Sequence, residues 1–169
     1  MKSRRLMLAL CALALIVITP ARSRAAGSAG PIDSGLGPRV GFSTDPSQFV
    51  FGGQGTFGPI VDDLTFDPSL EFGFGDDVTT VAGNFDLHYH FHLNNTPWTP
   101  YVGAGATIVN YNYNHDFPDH DSNQTEGGGS LIVGAGAPTK SGNRFFGELK
   151  FGLGDVPSLK MVVGWNFKI

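Results

Sequence analysis

Apolar side chains recur at every second position through most of the chain after residue 30. The cleanest run closes the sequence: Leu159, Met161, Val163, Trp165, Phe167 and Ile169 alternate with Lys160, Val162, Gly164, Asn166 and Lys168. An extended strand sends alternate side chains to opposite faces, so this segment has one apolar face and one carrying two lysines and an amide. The same period predicts seven more strands, at about 38–44, 48–57, 64–75, 79–93, 100–112, 128–138 and 143–153. In the fourth, Val81, Phe85, Leu87, Tyr89, Phe91 and Leu93 oppose Asn84, Asp86, His88, His90 and His92. Pro68 lies inside the third and removes a ladder donor, so that strand is expected to kink or begin later. No segment after residue 30 has a helical apolar period. The expected fold is all-β, an eight-stranded antiparallel up-and-down transmembrane β-barrel, since closure removes the exposed edges of an open sheet.

The first residues read differently. Lys2, Arg4 and Arg5 precede a 13-residue apolar run from Leu6 to Ile18, then Thr19-Pro20 and a small-residue stretch. This is the form of a secretory signal peptide, and 13 residues are too few for a membrane-spanning helix, which needs ~20. Ser23-Arg24-Ala25 places small residues for cleavage near Ala25. The expected organisation is a cleaved leader over 1–25, a short periplasmic segment over 26–37 and a barrel over 38–169. The leader carries five of the eleven basic residues and none of the fifteen acids, leaving a mature net charge of −9 (six basic, fifteen acidic). Such a balance argues against nucleic acid as a partner. The single cysteine, Cys11, leaves with the leader, so neither disulfide nor thiolate metal site is expected.

With both termini periplasmic, compact connections are expected there at Gly58–Asp63, Asn94–Pro97 and Pro138–Gly142. One long polar loop, Tyr113 to Gly127, is expected on the outer side. The inward set is expected to include Arg39, Glu71, Asp86, Glu148, Lys150, Lys160 and Lys168, of both signs and able to pair. An eight-stranded barrel is just wide enough for its own side chains, so a plugged lumen without a pore follows. Trp98, Tyr101, Tyr111, Tyr113 and Trp165 are candidates for interfacial aromatic girdles.

These features resemble the small outer-membrane β-barrel families, the OmpA/OmpX/OmpW-like group, over the whole chain. Those families carry a C-terminal assembly signal of the form polar-x-Gly-x-x-aromatic-x-aromatic. The last eight residues match it at Gly164 and Phe167, with Val162 in the polar place and Ile169 in the final aromatic one. Pro100-Tyr101-Val102-Gly103-Ala104-Gly105-Ala106 is similar to the fifth strand of such barrels. The resemblance implies an outer-membrane location, contact with outer-membrane lipid and lipopolysaccharide, and insertion by the barrel assembly machinery. A monomer without cofactor and without enzymatic activity, in a structural or surface-interaction role, is the expectation. Passage of small apolar solutes is an alternative within the same class.

Four further readings compete. His88, His90 and His92 share one face beside Asp86, a donor set suited to Zn, Cu or Ni. Same-face neighbours lie ~7 Å apart, so a site would need help from a neighbouring strand, and a hydrogen-bonded polar row is the expected state. His120-x-Ser122-Asn123, with Glu126 nearby, resembles the His-x-Ser-Asn motif of outer-membrane lipid A deacylases, which would give His120, Ser122 and Glu126 catalytic roles. Asp119, Asp121, Asn123 and Thr125 have the spacing of a calcium loop, but Gln124 stands where that loop needs Gly and Ser130 where it needs a bidentate Glu. A solvated acidic loop is expected there. Finally, an exported soluble barrel would turn the apolar faces inward to bind a small ligand, and periodicity alone does not say which face is inside.

Overall fold

The structure, a computed structural model, describes residues 34–94, 96–113 and 123–169. Eight strands form one closed antiparallel barrel in sequence order. They are β1 (Gly35–Thr44), β2 (Gln48–Val61), β3 (Leu64–Phe74), β4 (Val78–His90), β5 (Thr99–Tyr113), β6 (Asn123–Pro138), β7 (Arg144–Gly154) and β8 (Leu159–Lys168). Closure is made by β1 on β8, running from Gly35↔Lys168 to Thr44↔Leu159, which puts the start of β1 and the end of β8 at one end of the barrel. The leader over 1–25 and most of the 26–37 segment lie outside the described residues, as do His120 and Ser122.

Boundaries depart from the periodic reading where Gly and Pro interrupt it. β1 begins at Gly35, in a Gly-Leu-Gly-Pro stretch of low strand propensity that nevertheless pairs throughout with β2 and at Gly35 and Leu36 with β8. β2 runs on through Gly58 and Pro59 to Val61, so the expected Gly58–Asp63 connection is only Asp62-Asp63, with Asp63 at φ 66°. β6 begins at Asn123 and pairs at once with Asn112. The expected 113–127 loop is therefore shorter, and Glu126 is a strand residue opposite Val109. Pro68 does not end or shorten β3. The β3–β4 ladder runs unbroken through Pro68↔Phe85, while the β2–β3 ladder lapses between Gln54↔Ser69 and Phe57↔Phe66. The missing N–H is thus spent on one side only.

The sidedness is inverted relative to a water-soluble barrel. Phe49, Phe51, Phe72, Phe74, Phe85, Leu87, Val102, Ile108, Leu131, Val133, Phe151, Met161 and Val163 are exposed on the outer wall, while the opposite face of the same strands is buried and mostly polar. No Asp, Glu, Lys or Arg stands at an outward position of the eight strands. A Phe-rich ligand lumen requires the reverse, so the expected alternative in which the apolar faces line the interior does not hold. The interior is not polar throughout. Val78, Ala82, Val109, Tyr111 and Val156 cluster at the end away from the termini, with Val156 turned inward from the β7–β8 connection.

Small residues make room for large ones inside. A Cβ added at Gly134 would stand 2.4 Å from Cζ of Tyr101, and one at Gly105 would stand 2.0 Å from Oδ1 of Asp86. Neither gap can accept a side chain without moving a buried group. Gly105→Val is accordingly expected to push Asp86 off its lysine and cost ~1–3 kcal/mol of stability, read as a lower urea midpoint of the folded barrel.

Candidate functional site

The buried interior is lined by paired polar groups, among them those gathered round Arg39 in the middle of β1. Its Nη1 donates to Oε1 of Gln54 at 3.0 Å, its Nη2 donates to Glu148, and its Nε lies 3.0 Å from Oε1 of Glu71. The Glu71 contact is an ion pair without hydrogen-bond alignment. Glu71 is also gripped by Lys160 from β8, and Glu148 accepts from the Tyr101 hydroxyl at 3.0 Å. Lys150 donates to Asp86 at 2.7 Å and to Asn84 Oδ1 at 3.2 Å. Seven strands, all but β6, thus contribute to these cross-lumen contacts. Arg39, Glu71, Asp86, Glu148, Lys150 and Lys160 are all buried, and each carboxylate meets a cation. Removing charges from water costs several kcal/mol each, and such partners offset that cost. Lys168 shares their strand parity but lies exposed at the barrel end.

A second cluster continues from the first toward the end holding the termini. Gln54 Nε2 donates to Asn166 Oδ1 at 3.1 Å, Asn166 Nδ2 donates to Thr56 Oγ1 at 2.8 Å, and Thr56 donates to Asp67 Oδ1. Thr65 donates to the other oxygen of Asp67 and contacts His90 Nε2 at 2.9 Å. His88 Nδ1 stands 3.3 Å from Asp67 Oδ2. Tyr101 stacks on His88 at 4.7 Å between ring centroids and packs against His90 at 5.3 Å.

The structure redistributes the four residues expected as a metal set. His88 and His90 are neighbours, with ring centroids 6.3 Å apart. Asp86 is held by Lys150 instead, and His92 pairs with Asp63 at 2.9 Å at the partly open barrel end. The carboxylate that joins the two histidines is Asp67 of β3. Its signal was present in the sequence: a hairpin register counted back from Asp76-Asp77 puts Glu71 opposite Ala82 and Asp67 opposite Asp86. Glu126, the third member of the catalytic alternative, sits near the other end of the barrel and accepts a hydrogen bond from Gln124.

Two of the five candidate girdle aromatics are corrected. Tyr101 and Tyr111 point into the lumen, where the buried Glu148 carboxylate and the Asp155 carbonyl at the barrel end accept from their hydroxyls. Trp98 and Tyr113 are exposed, and Trp165 lies on the outer parity of β8, edge-on to Phe145. Phe167 and Ile169 of the terminal signal are exposed on the outer wall, while a Cβ at Gly164 would meet the ring of Phe146 at 2.3 Å.

An outer wall without charge, an ion-paired interior and eight up-and-down strands together decide the comparison with solved structures. The fold is that of the small eight-stranded outer-membrane barrels. The chain is similar to Neisserial surface protein A (TM-score 0.58, 16% identity, covering 81% of this chain and 95% of that one). It is also similar to the N-terminal β-barrel domain of OprF from Pseudomonas aeruginosa (TM-score 0.54, 21% identity, covering 82% of this chain and all of that one). No protein-family model matches the sequence, and no curated protein matches it.

Proposed function

We propose that the protein is a monomeric, non-enzymatic barrel of the bacterial outer membrane, with a plugged polar lumen and a structural or surface-interaction role. The observation that carries this reading is the sidedness: an uncharged apolar wall faces out on every strand, and the charged residues of the strand interiors are buried and paired inside. Water would penalise such a wall, whereas a hydrocarbon surround removes the penalty. Barrel partners are then outer-membrane lipid and lipopolysaccharide around the wall. The outward aromatic of β8 is suited to reading by the barrel assembly machinery. With the termini periplasmic, the barrel end where β5 stops at Tyr113 and β6 begins at Asn123 would face the exterior.

The test is expression of the full precursor in a Gram-negative host, followed by membrane fractionation and gels run with and without boiling. The expected result is an outer-membrane band whose mobility changes on boiling. A soluble periplasmic product with no such change would overturn the membrane assignment. In planar bilayers the purified barrel is expected to give no discrete conductance steps, and regular steps would remove the plug. Release of acyl chains from lipid A, lost in Ser122→Ala, would remove the non-enzymatic part.

A further inference from the structure

We propose that Asp67, His88 and His90 form a binding site for one borderline divalent transition-metal ion, of which zinc is the type, inside the end of the barrel that holds both termini. One donor atom from each of the three residues lies within 4.8 Å of the other two, and all three side chains are buried. Two imidazoles and one carboxylate are the donor types such an ion takes, at ~2.0–2.2 Å. Tetrahedral ligands at those lengths stand about 3.3 Å apart. Asp67 Oδ2 and His88 Nδ1 already have a 3.3 Å separation, so only His90 needs to close in.

Three features argue that the cluster is built to hold something rather than merely to satisfy itself. First, the carboxylate is fixed from behind: Thr56, itself held by Asn166, donates to Oδ1, while Oδ2, which also accepts from Thr65, faces His88 Nδ1. Hydrogen bonds of this kind orient the ligands of metal sites. Second, Tyr101 packs against both imidazoles and restricts their rotation. Third, His88 Nε2 and His90 Nδ1 are buried without partners, so each ring has unspent hydrogen-bonding capacity. The nitrogens turned toward the shared carboxylate and Thr65 are the other two, His88 Nδ1 and His90 Nε2, and these are the atoms an ion would take. The Thr65 hydroxyl, beside both Asp67 and His90, marks the position for a fourth oxygen ligand, either itself or a water.

The donor chemistry also selects the ion. Calcium takes six to eight oxygens and this site offers few. Access would run past His92 and Asp63, partly exposed at the same barrel end and next along the strand direction from His90. The site does not depend on where the barrel resides.

The experiment titrates zinc chloride into the folded full-length barrel in detergent micelles by calorimetry, with folding of every variant checked by its mobility shift on boiling. One ion per chain is expected, with affinity falling at least ~10-fold in His90→Asn and in Asp67→Asn and unchanged in His92→Asn. Cobalt(II) on the unaltered protein is expected to show the intense visible bands of a four-coordinate ion with mixed nitrogen and oxygen ligands, a readout that needs no variant to fold. No binding, weak octahedral cobalt spectra, or binding lost in His92→Asn but retained in His90→Asn would each overturn the assignment, the last by placing the ion at the Asp63–His92 rim.

Discussion

Replacing Arg39 by methionine is expected to lower the unfolding free energy of the barrel by ~3–5 kcal/mol, the range for removing one partner of a buried ion pair. The guanidinium is the one group that reaches Glu71, Glu148 and Gln54 together, through all three of its nitrogen positions. Methionine keeps the approximate length and apolar stem but strands two carboxylates. They are not stranded equally. Glu71 retains Lys160, while Glu148 retains only the Tyr101 hydroxyl. The cost therefore falls mainly on Glu148, and the double variant Arg39→Met/Glu148→Gln is expected to recover a large part of the loss, because the orphaned charge is gone and an amide can still accept from Tyr101. Urea unfolding of the barrel reconstituted in lipid vesicles checks both. An Arg39→Met protein as stable as the original would mean that water reaches Glu148, and hence that the lumen is hydrated at its centre. Arg39→Lys is expected to fall between, because a single ammonium cannot reproduce the three-way contact of a planar fork.

How far the molecule could be read from its sequence follows from what each signal depends on. The strand count and the inward or outward parity of nearly every strand residue depend only on period two, and β4 shows this most plainly: Asn84, Asp86, His88 and His90 face in and Phe85, Leu87 and Tyr89 face out, as alternation requires. What period two cannot carry is which parity is inside, and that was resolved by the closed structure. Strand limits failed where composition contradicts pairing. Gly58-Pro59 reads as a turn yet lies within β2, and the Asn123–Gly127 stretch reads as loop yet pairs with β5, because ladder hydrogen bonds from a neighbouring strand override local propensity. Tyr101 and Tyr111 were misplaced for a different reason: an aromatic with a hydroxyl suits either a membrane interface or a buried acceptor, and only the positions of Glu148 and Asp155 across the barrel decide between them. The site was half legible. The histidine row was visible, but Asp67 joins it through register, a property of two strands at once.

A single arginine on the outer wall measures what surrounds the barrel. Leu131 lies mid-way along β6, 42% exposed, flanked by Ala104 on β5 and Phe151 on β7. Leu36 is 48% exposed on the same outer wall but one residue from the start of β1, opposite Phe167. Their exposure is nearly equal, so in water the two substitutions would behave alike and cost little. In a bilayer they would differ by depth. Leu131→Arg is expected to destabilise the barrel by ~2–4 kcal/mol, the cost of a basic side chain near the midplane, and Leu36→Arg by ~0–1 kcal/mol near an interface. The measurement is urea unfolding from lipid vesicles for both variants, compared with the original protein. Equal, small losses would mean that the apolar wall does not sit in hydrocarbon, and the lipid-facing assignment of every outward Phe, Leu and Val would fall with it. A large loss at Leu36 with none at Leu131 would shift the hydrocarbon band toward the termini and shorten the part of the barrel projecting at that end. The expected ordering, by contrast, centres the band on the strand positions that pair with Leu131.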